Sequence, residues 1–138
     1  MIRKIEHIGI AVKHTAEVRS TLEALLGYPA YKEEVVSSEN VLTTFFKIGE
    51  SKLELLEATS ADSPIAKYLD KFPQGVHHIA LEVDDIVSEL LRLESLGFQL
   101  IHKEPKPGAD NKWIAFLHPK STAGVLVELC QSRNETSS

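Results

Sequence analysis

Two histidines and two glutamates stand apart in this chain because each type recurs at a matching place in two similar stretches. His7 lies in EHIGIAV and His78 in HHIALEV, 71 residues apart, and Glu54 in KLELLEA and Glu128 in VLVELC, 74 residues apart. One imidazole and one carboxylate per stretch make a mixed nitrogen and oxygen donor set, suited to one divalent cation. Cobalt, zinc, manganese and nickel all accept such donors, and the residues do not choose among them. A lone strand histidine is more often packed or solvent-facing, and a lone strand glutamate more often sits on the wet face. Recurrence of both types in each half sets these four residues apart.

The elements that must position them repeat as well. EHIGIAV (6–12) and HHIALEV (77–83) alternate as strands do, each followed by a helical pattern that stops at Leu-Gly, Leu26-Gly27 and Leu96-Gly97, 70 residues apart. TTFFKIGESKLELLEA (43–58) matches WIAFLHPKSTAGVLVELC (113–130) as two strands joined by a turn. Val18, Leu22, Leu25 and Leu26 define one apolar helix face, and Ile86, Leu90 and Leu93 the other, with Asp84 or Asp85 placed to cap its start. Tyr31 to Val36 and Phe98 to His102 supply the remaining strand of each half. Ser63-Pro64 opens a short helix, Pro64 to Lys71, which Pro73 and Gly75 close. The predicted order is βαβββ, short helix, βαβββ.

Alternation then places the four residues. His7, Gly9 and Ala11 share one strand face, and His78 and Ala80 the corresponding one, while the bulky Ile8, Ile10, Val12, Ile79, Leu81 and Val83 pack on the helices. A histidine followed by small residues leaves room for a ligand. Glu54 between Leu53 and Leu55, and Glu128 between Val127 and Leu129, are costly to bury unless paired or metal-bound. His77 points opposite to His78 and reads as structural. His118 lies in the turn FLHPK and His14 and His102 at the surface, while Cys130, on the face of Glu128, reads as packing.

Composition limits the function classes. With 43% hydrophobic and 25% charged residues among 138, the chain has ordinary globular composition and enough length for a core. A formal net charge of −5 with scattered basic residues argues against nucleic acid as a partner. A single cysteine forms no internal disulfide, and no apolar run suggests a signal or a membrane span, so a cytoplasmic location is expected. The segment QSRNETSS reads as a polar tail. No nucleophile elbow, phosphate loop or dinucleotide fingerprint occurs.

The motifs EHIGIAV, KLELLEA with DSPIAKYL, GVHHIALEVDDI and FLHPKSTAGVLVEL, in this order and spacing, resemble the vicinal-oxygen-chelate superfamily, from Ile5 to about Gln131. The resemblance implies an α+β, glyoxalase-like fold in which two βαβββ modules form a curved open sheet around a metal site. The expected single domain covers 1–131, with module one at about 4–58, a linker helix at about 63–72, module two at about 76–131 and the tail at 132–138. Within the superfamily the motifs lie nearest the methylmalonyl-CoA epimerases. That implies an isomerase acting on an acyl-CoA through a metal-stabilised enolate, with His7, Glu54, His78 and Glu128 as ligands, Glu128 as the main base and Glu54 or water as the second proton carrier. A homodimer is also implied, and Lys103, Lys106, Lys112 and Lys120 are available for the CoA tail. One departure matters: where certain epimerases carry a glutamate, proposed as a second base, this chain has Thr43 or Thr44. A glyoxalase I-like lyase or isomerase acting on a thiol adduct of a 2-oxoaldehyde is the nearest enzyme alternative. A non-catalytic ligand-binding module of the same fold is the alternative outside enzymes. An iron dioxygenase would keep two histidines and one glutamate with open positions, and Glu54 argues against it.

Overall fold

The computed structural model describes residues 1–133, and the tail from 134 on, with the Asn-Glu-Thr sequence at 134–136, lies outside the described residues. The chain is α+β, with strands β1 (Ile2–Ala11), β2 (Lys32–Val36), β3 (Val41–Ile48), β4 (Ser51–Ala58), β5 (Gly75–Val83), β6 (Lys106–Gly108), β7 (Lys112–Leu117) and β8 (Val127–Ser132). The helices are α1 (Thr15–Leu26), α2 (Pro64–Lys71) and α3 (Ile86–Ser95). Two compact units divide the chain, one comprising 1–7 with 78 onward, the other 8–77. The divisions fall inside β1 and β5, directly after His7 and directly before His78.

In the unit of 8–77, β3 is antiparallel to β2 and to β4, with Thr43 opposite both Glu34 and Leu56, and Phe45 opposite Glu54. The bulky face of β1 packs on α1 as alternation predicts: Val12, Phe46 and Leu55 form a core with Ile10, Val18, Leu22 and Leu26. Leu25 departs from the expected apolar face and is 74% exposed. At 3.6 residues per turn, Val18, Leu22 and Leu26 complete a stripe of their own, and Leu25 falls off its edge. Gly27 ends α1 at φ 86° and its N–H reaches Glu23 O, the left-handed stop that glycine allows. No side chain of His14 caps the start of α1; the Glu57 carboxylate of β4 accepts from Thr15 N at 2.6 Å instead. Ser63 is buried and caps α2 by accepting from Ile65 N, with Pro64 at the first helical position.

In the other unit β5 is parallel to β8, β7 is antiparallel to β8, and β6 is antiparallel to β7. Val83, Ile86, Leu90, Leu93, Leu117 and Leu129 form the core under α3, the apolar face read from its periodicity. Asp85, rather than Asp84, caps α3 by accepting from Ser88 N, while Asp84 pairs with Arg3. The expected strand at Phe98–His102 is reduced to one bridge, Leu100 with Leu117, and the ladder resumes only at β6. The N–H groups of Ile101 and His102 both reach Phe116 O, which bends the chain out of register. Pro105 and Pro107 then lack the donors a longer ladder would need. No helix among the described residues is long and apolar enough to cross a membrane.

Candidate metal centre

The strands of the unit formed by 1–7 and 78 onward bring three of the four expected residues together. His7 closes its part of β1, His78 opens its part of β5, and Glu128 lies on β8 opposite the small Ala80 of β5. All three side chains are buried. His7 Nε2 stands 3.0 Å from His78 Nε2, His78 Nε2 3.1 Å from Glu128 Oε1, and His7 Nε2 3.6 Å from the same oxygen. Donors held about 2.0–2.2 Å from a cation stand roughly 3.0–3.5 Å from one another, so this spacing fits a bound divalent ion. It is also the spacing of buried groups sharing a proton, but two facing ring nitrogens can hold only one proton between them, so at least one lone pair is turned inward.

Burial pushes the Glu128 carboxyl up, yet the charge and hydrogen bonds of His7, followed by those of His78, outweigh it and hold the group well below the usual carboxylate range. Glu128 is therefore ionised at neutral pH, the state a ligand needs. Its contacts with the two imidazoles are both made by Oε1. Around this cluster, Ala80, Ile114 and Cys130 form an apolar wall with Phe116 packed against it. Phe116 lies opposite Glu128 in the β7–β8 register and meets the His78 ring edge-on at 5.4 Å. The Cys130 thiol is fully buried, and burial together with the Glu128 and Glu6 carboxylates pushes its pKa up, so it stays protonated and serves packing.

Glu54, the fourth expected residue, belongs to the other unit, where it is buried on β4 opposite Phe45. Thr43 shares the strand face of Phe45, and Thr44 the opposite one, where its hydroxyl donates to Glu33. Neither threonine can act as a base. His77 packs edge-on against the Tyr68 ring at 4.9 Å. His118 caps the turn at Pro119–Ser121 by accepting from Lys120 N, and His102 Nδ1 accepts from Phe116 N. Of the lysines considered for a CoA tail, Lys103 pairs loosely with Glu94, and Lys112 with Glu82. Lys120 lines an open cavity of about 400 Å³ with Leu96, Phe98, Gln99 and Ser121.

Two residues escaped the sequence reading. Glu6 is buried, and its Oε1 lies 2.7 Å from His7 Nδ1. Adjacent strand residues normally face apart, so alternation hid this contact. The available signal was a glutamate directly before the candidate ligand. Phe116 was visible only as part of the FLHPK turn motif, and its place beside His78 follows from the β7–β8 register.

Comparison with known proteins extends these observations. The model of the Glyoxalase/Bleomycin resistance protein/Dioxygenase superfamily matches residues 6–116. An uncharacterized protein of Bacillus subtilis, YqjC, is 41% identical over 134 residues, covering 97% of this chain and 96% of that protein. The ethylmalonyl-CoA/methylmalonyl-CoA epimerase of Cereibacter sphaeroides is 39% identical, covering 95% of this chain and 99% of that protein. Among solved structures, a substituted methylmalonyl-CoA epimerase of Streptomyces coelicolor in complex with 2-nitronate-propionyl-CoA superposes with a TM-score of 0.91 at 35% identity, covering 96% of each chain.

Proposed function

Because the chain belongs to the Glyoxalase/Bleomycin resistance protein/Dioxygenase superfamily, we propose that it is an isomerase that interconverts the 2R and 2S forms of methylmalonyl-CoA at a divalent metal centre. The observation that carries this reading is the convergence of His7 Nε2, His78 Nε2 and Glu128 Oε1 in a chain similar along its length to epimerases of that substrate. Glu54 is included as a further carboxylate donor, on the resemblance and on its burial in an apolar strand.

The hydrogen at carbon 2 of such a substrate is weakly acidic, so removing it requires stabilisation of negative charge on the neighbouring oxygens. A divalent cation held by His7, Glu54, His78 and Glu128 would supply that electrophilic stabilisation when bound. The rest falls to the chain. His7 and His78 would ligate as neutral imidazoles, giving up on binding the imidazolium charge that acts on Glu128 in the metal-free site. Glu128 divides its work between two oxygens: Oε1 faces the imidazoles, and we assign the proton of carbon 2 to Oε2. Phe116 and the wall of Ala80, Ile114 and Cys130 reduce water around the reacting carbon. Delivery of a proton to the opposite face falls to Glu54 or a water, since Thr43 carries no basic group. A homodimer and a cytoplasmic location complete the proposal, the first on the resemblance and the second on a single, buried thiol.

The test is proton NMR of methylmalonyl-CoA in deuterated water with cobalt-loaded protein. The expected result is loss of the carbon 2 signal at a catalytic rate, abolished by a chelator and restored by cobalt. Persistence of that signal with cobalt demonstrably bound would sink the assignment.

A further inference from the structure

We propose that Glu6 is the positioning residue of the metal centre: its carboxylate accepts the Nδ1–H of His7 and so turns the Nε2 lone pair toward His78 and Glu128. This inference rests on the metal-centre reading and deepens it. Glu6 Oε1 lies 2.7 Å from His7 Nδ1, and both residues are almost fully buried, at 3% and 5% exposure. A neutral imidazole carries one N–H. Placing that proton on Nε2 would set the bare Nδ1 against a buried carboxylate, two acceptors in contact with no water to separate them, at high cost. The proton therefore belongs on Nδ1, and Nε2, 3.0 Å from His78 Nε2, is left as an acceptor for a cation. A carboxylate on the far nitrogen also raises the basicity of the ligating one and fixes the ring plane. The His78 ring meets the Phe116 ring edge-on. Glu6 touches neither the expected ion nor the reacting carbon in this scheme, and it acts through His7.

Two measurements test the assignment on wild type, Glu6→Ala and Glu6→Gln. Imidazole proton–nitrogen correlation spectra of the metal-free proteins, recorded above the pH range of imidazole protonation, report which nitrogen of His7 bears the proton. Calorimetric titration with cobalt chloride reports affinity. We expect the Nδ1–H form of His7 in wild type and in Glu6→Gln, whose amide oxygen still accepts, with affinities in those two proteins within about threefold. Glu6→Ala is expected to move the proton toward Nε2 and to weaken cobalt binding about 10–100-fold. A wild-type His7 protonated on Nε2, cobalt binding by Glu6→Ala as tight as wild type, or Glu6→Gln as impaired as Glu6→Ala would each overturn the proposal. If Glu6→Ala fails to fold, wild type and Glu6→Gln still decide it. Failure of wild type to bind cobalt would overturn the metal reading alone, because the tautomer is read without metal.

Discussion

The hairpins β3–β4 and β7–β8 set the same pair side by side, Phe45 opposite Glu54 in one and Phe116 opposite Glu128 in the other. The backbone around each pair repeats too: Tyr31 N donates to Phe45 O, and Ile101 N to Phe116 O. The side chains do not repeat. Phe45 is fully buried, with the Tyr31 ring 6.0 Å away and the Lys32 ammonium over its face at 5.0 Å. Phe116 is only half-buried, and its neighbours are two imidazoles, His78 and His102. A duplicated frame has thus kept its register while its aromatic residues took different work, packing in one hairpin and lining a polar cluster in the other.

The sharpest way to break this comparison is to remove the two carboxylates separately. Glu128→Gln keeps the shape and loses the proposed base, and carbon 2 exchange is expected to fall about 10²–10⁴-fold, with cobalt binding weakened but measurable. Glu54→Gln retains a neutral oxygen donor, so a fall of about tenfold or less is expected. Equal losses in the two variants would show that the hairpins share the chemistry evenly and that Glu128 is not the principal base.

The aromatic pair comes next. Phe45→Ala empties a closed core and should cost about 3–5 kcal/mol in urea unfolding. Phe116→Ala removes a partly exposed ring and should cost about 1–2 kcal/mol, yet it should slow exchange more per unit of lost stability than Phe45→Ala does. Matching stability losses would mean that the difference in burial carries no difference in role.

Much of this division was legible in the residues, and the illegible parts have physical causes. The repeat marked His7, His78 and Glu128, whose side chains meet in one cluster, and Gly27 and Gly97 as helix stops, both with positive φ. The short helix Pro64–Lys71 formed where a serine cap met proline. Periodicity overextended the second half, because a single carbonyl at Phe116 takes two donors and two prolines follow, events that no hydrophobic pattern records. It also missed Glu6, since alternation gives a side chain a face but not the curl of a carboxylate back to its neighbour's ring. Nor did the module boundaries foretell that the compact units divide inside β1 and β5.

The smallest expected effect lies at the helix starts, where the halves differ again. α1 borrows the Glu57 carboxylate from β4, whereas α3 is capped by its own Asp85. The Ser88 hydroxyl, and then the Ser88 N–H, hold the Asp85 carboxyl below its ordinary value of 3.8. A carboxyl lowered in the folded state adds stability that is complete above the ordinary value and is lost as pH falls from there through the folded one. Amide exchange in the first turn of α3 should therefore speed up, relative to the rest of that helix, as pH drops below about 4, after correction for intrinsic rates. Asp85→Asn, which keeps an acceptor without the titration, should remove that pH dependence and leave α1 unchanged. If the first turn of α3 responds to acid equally in both proteins, the cap is not the titrating group, and the two helix starts differ in sequence but not in how they hold.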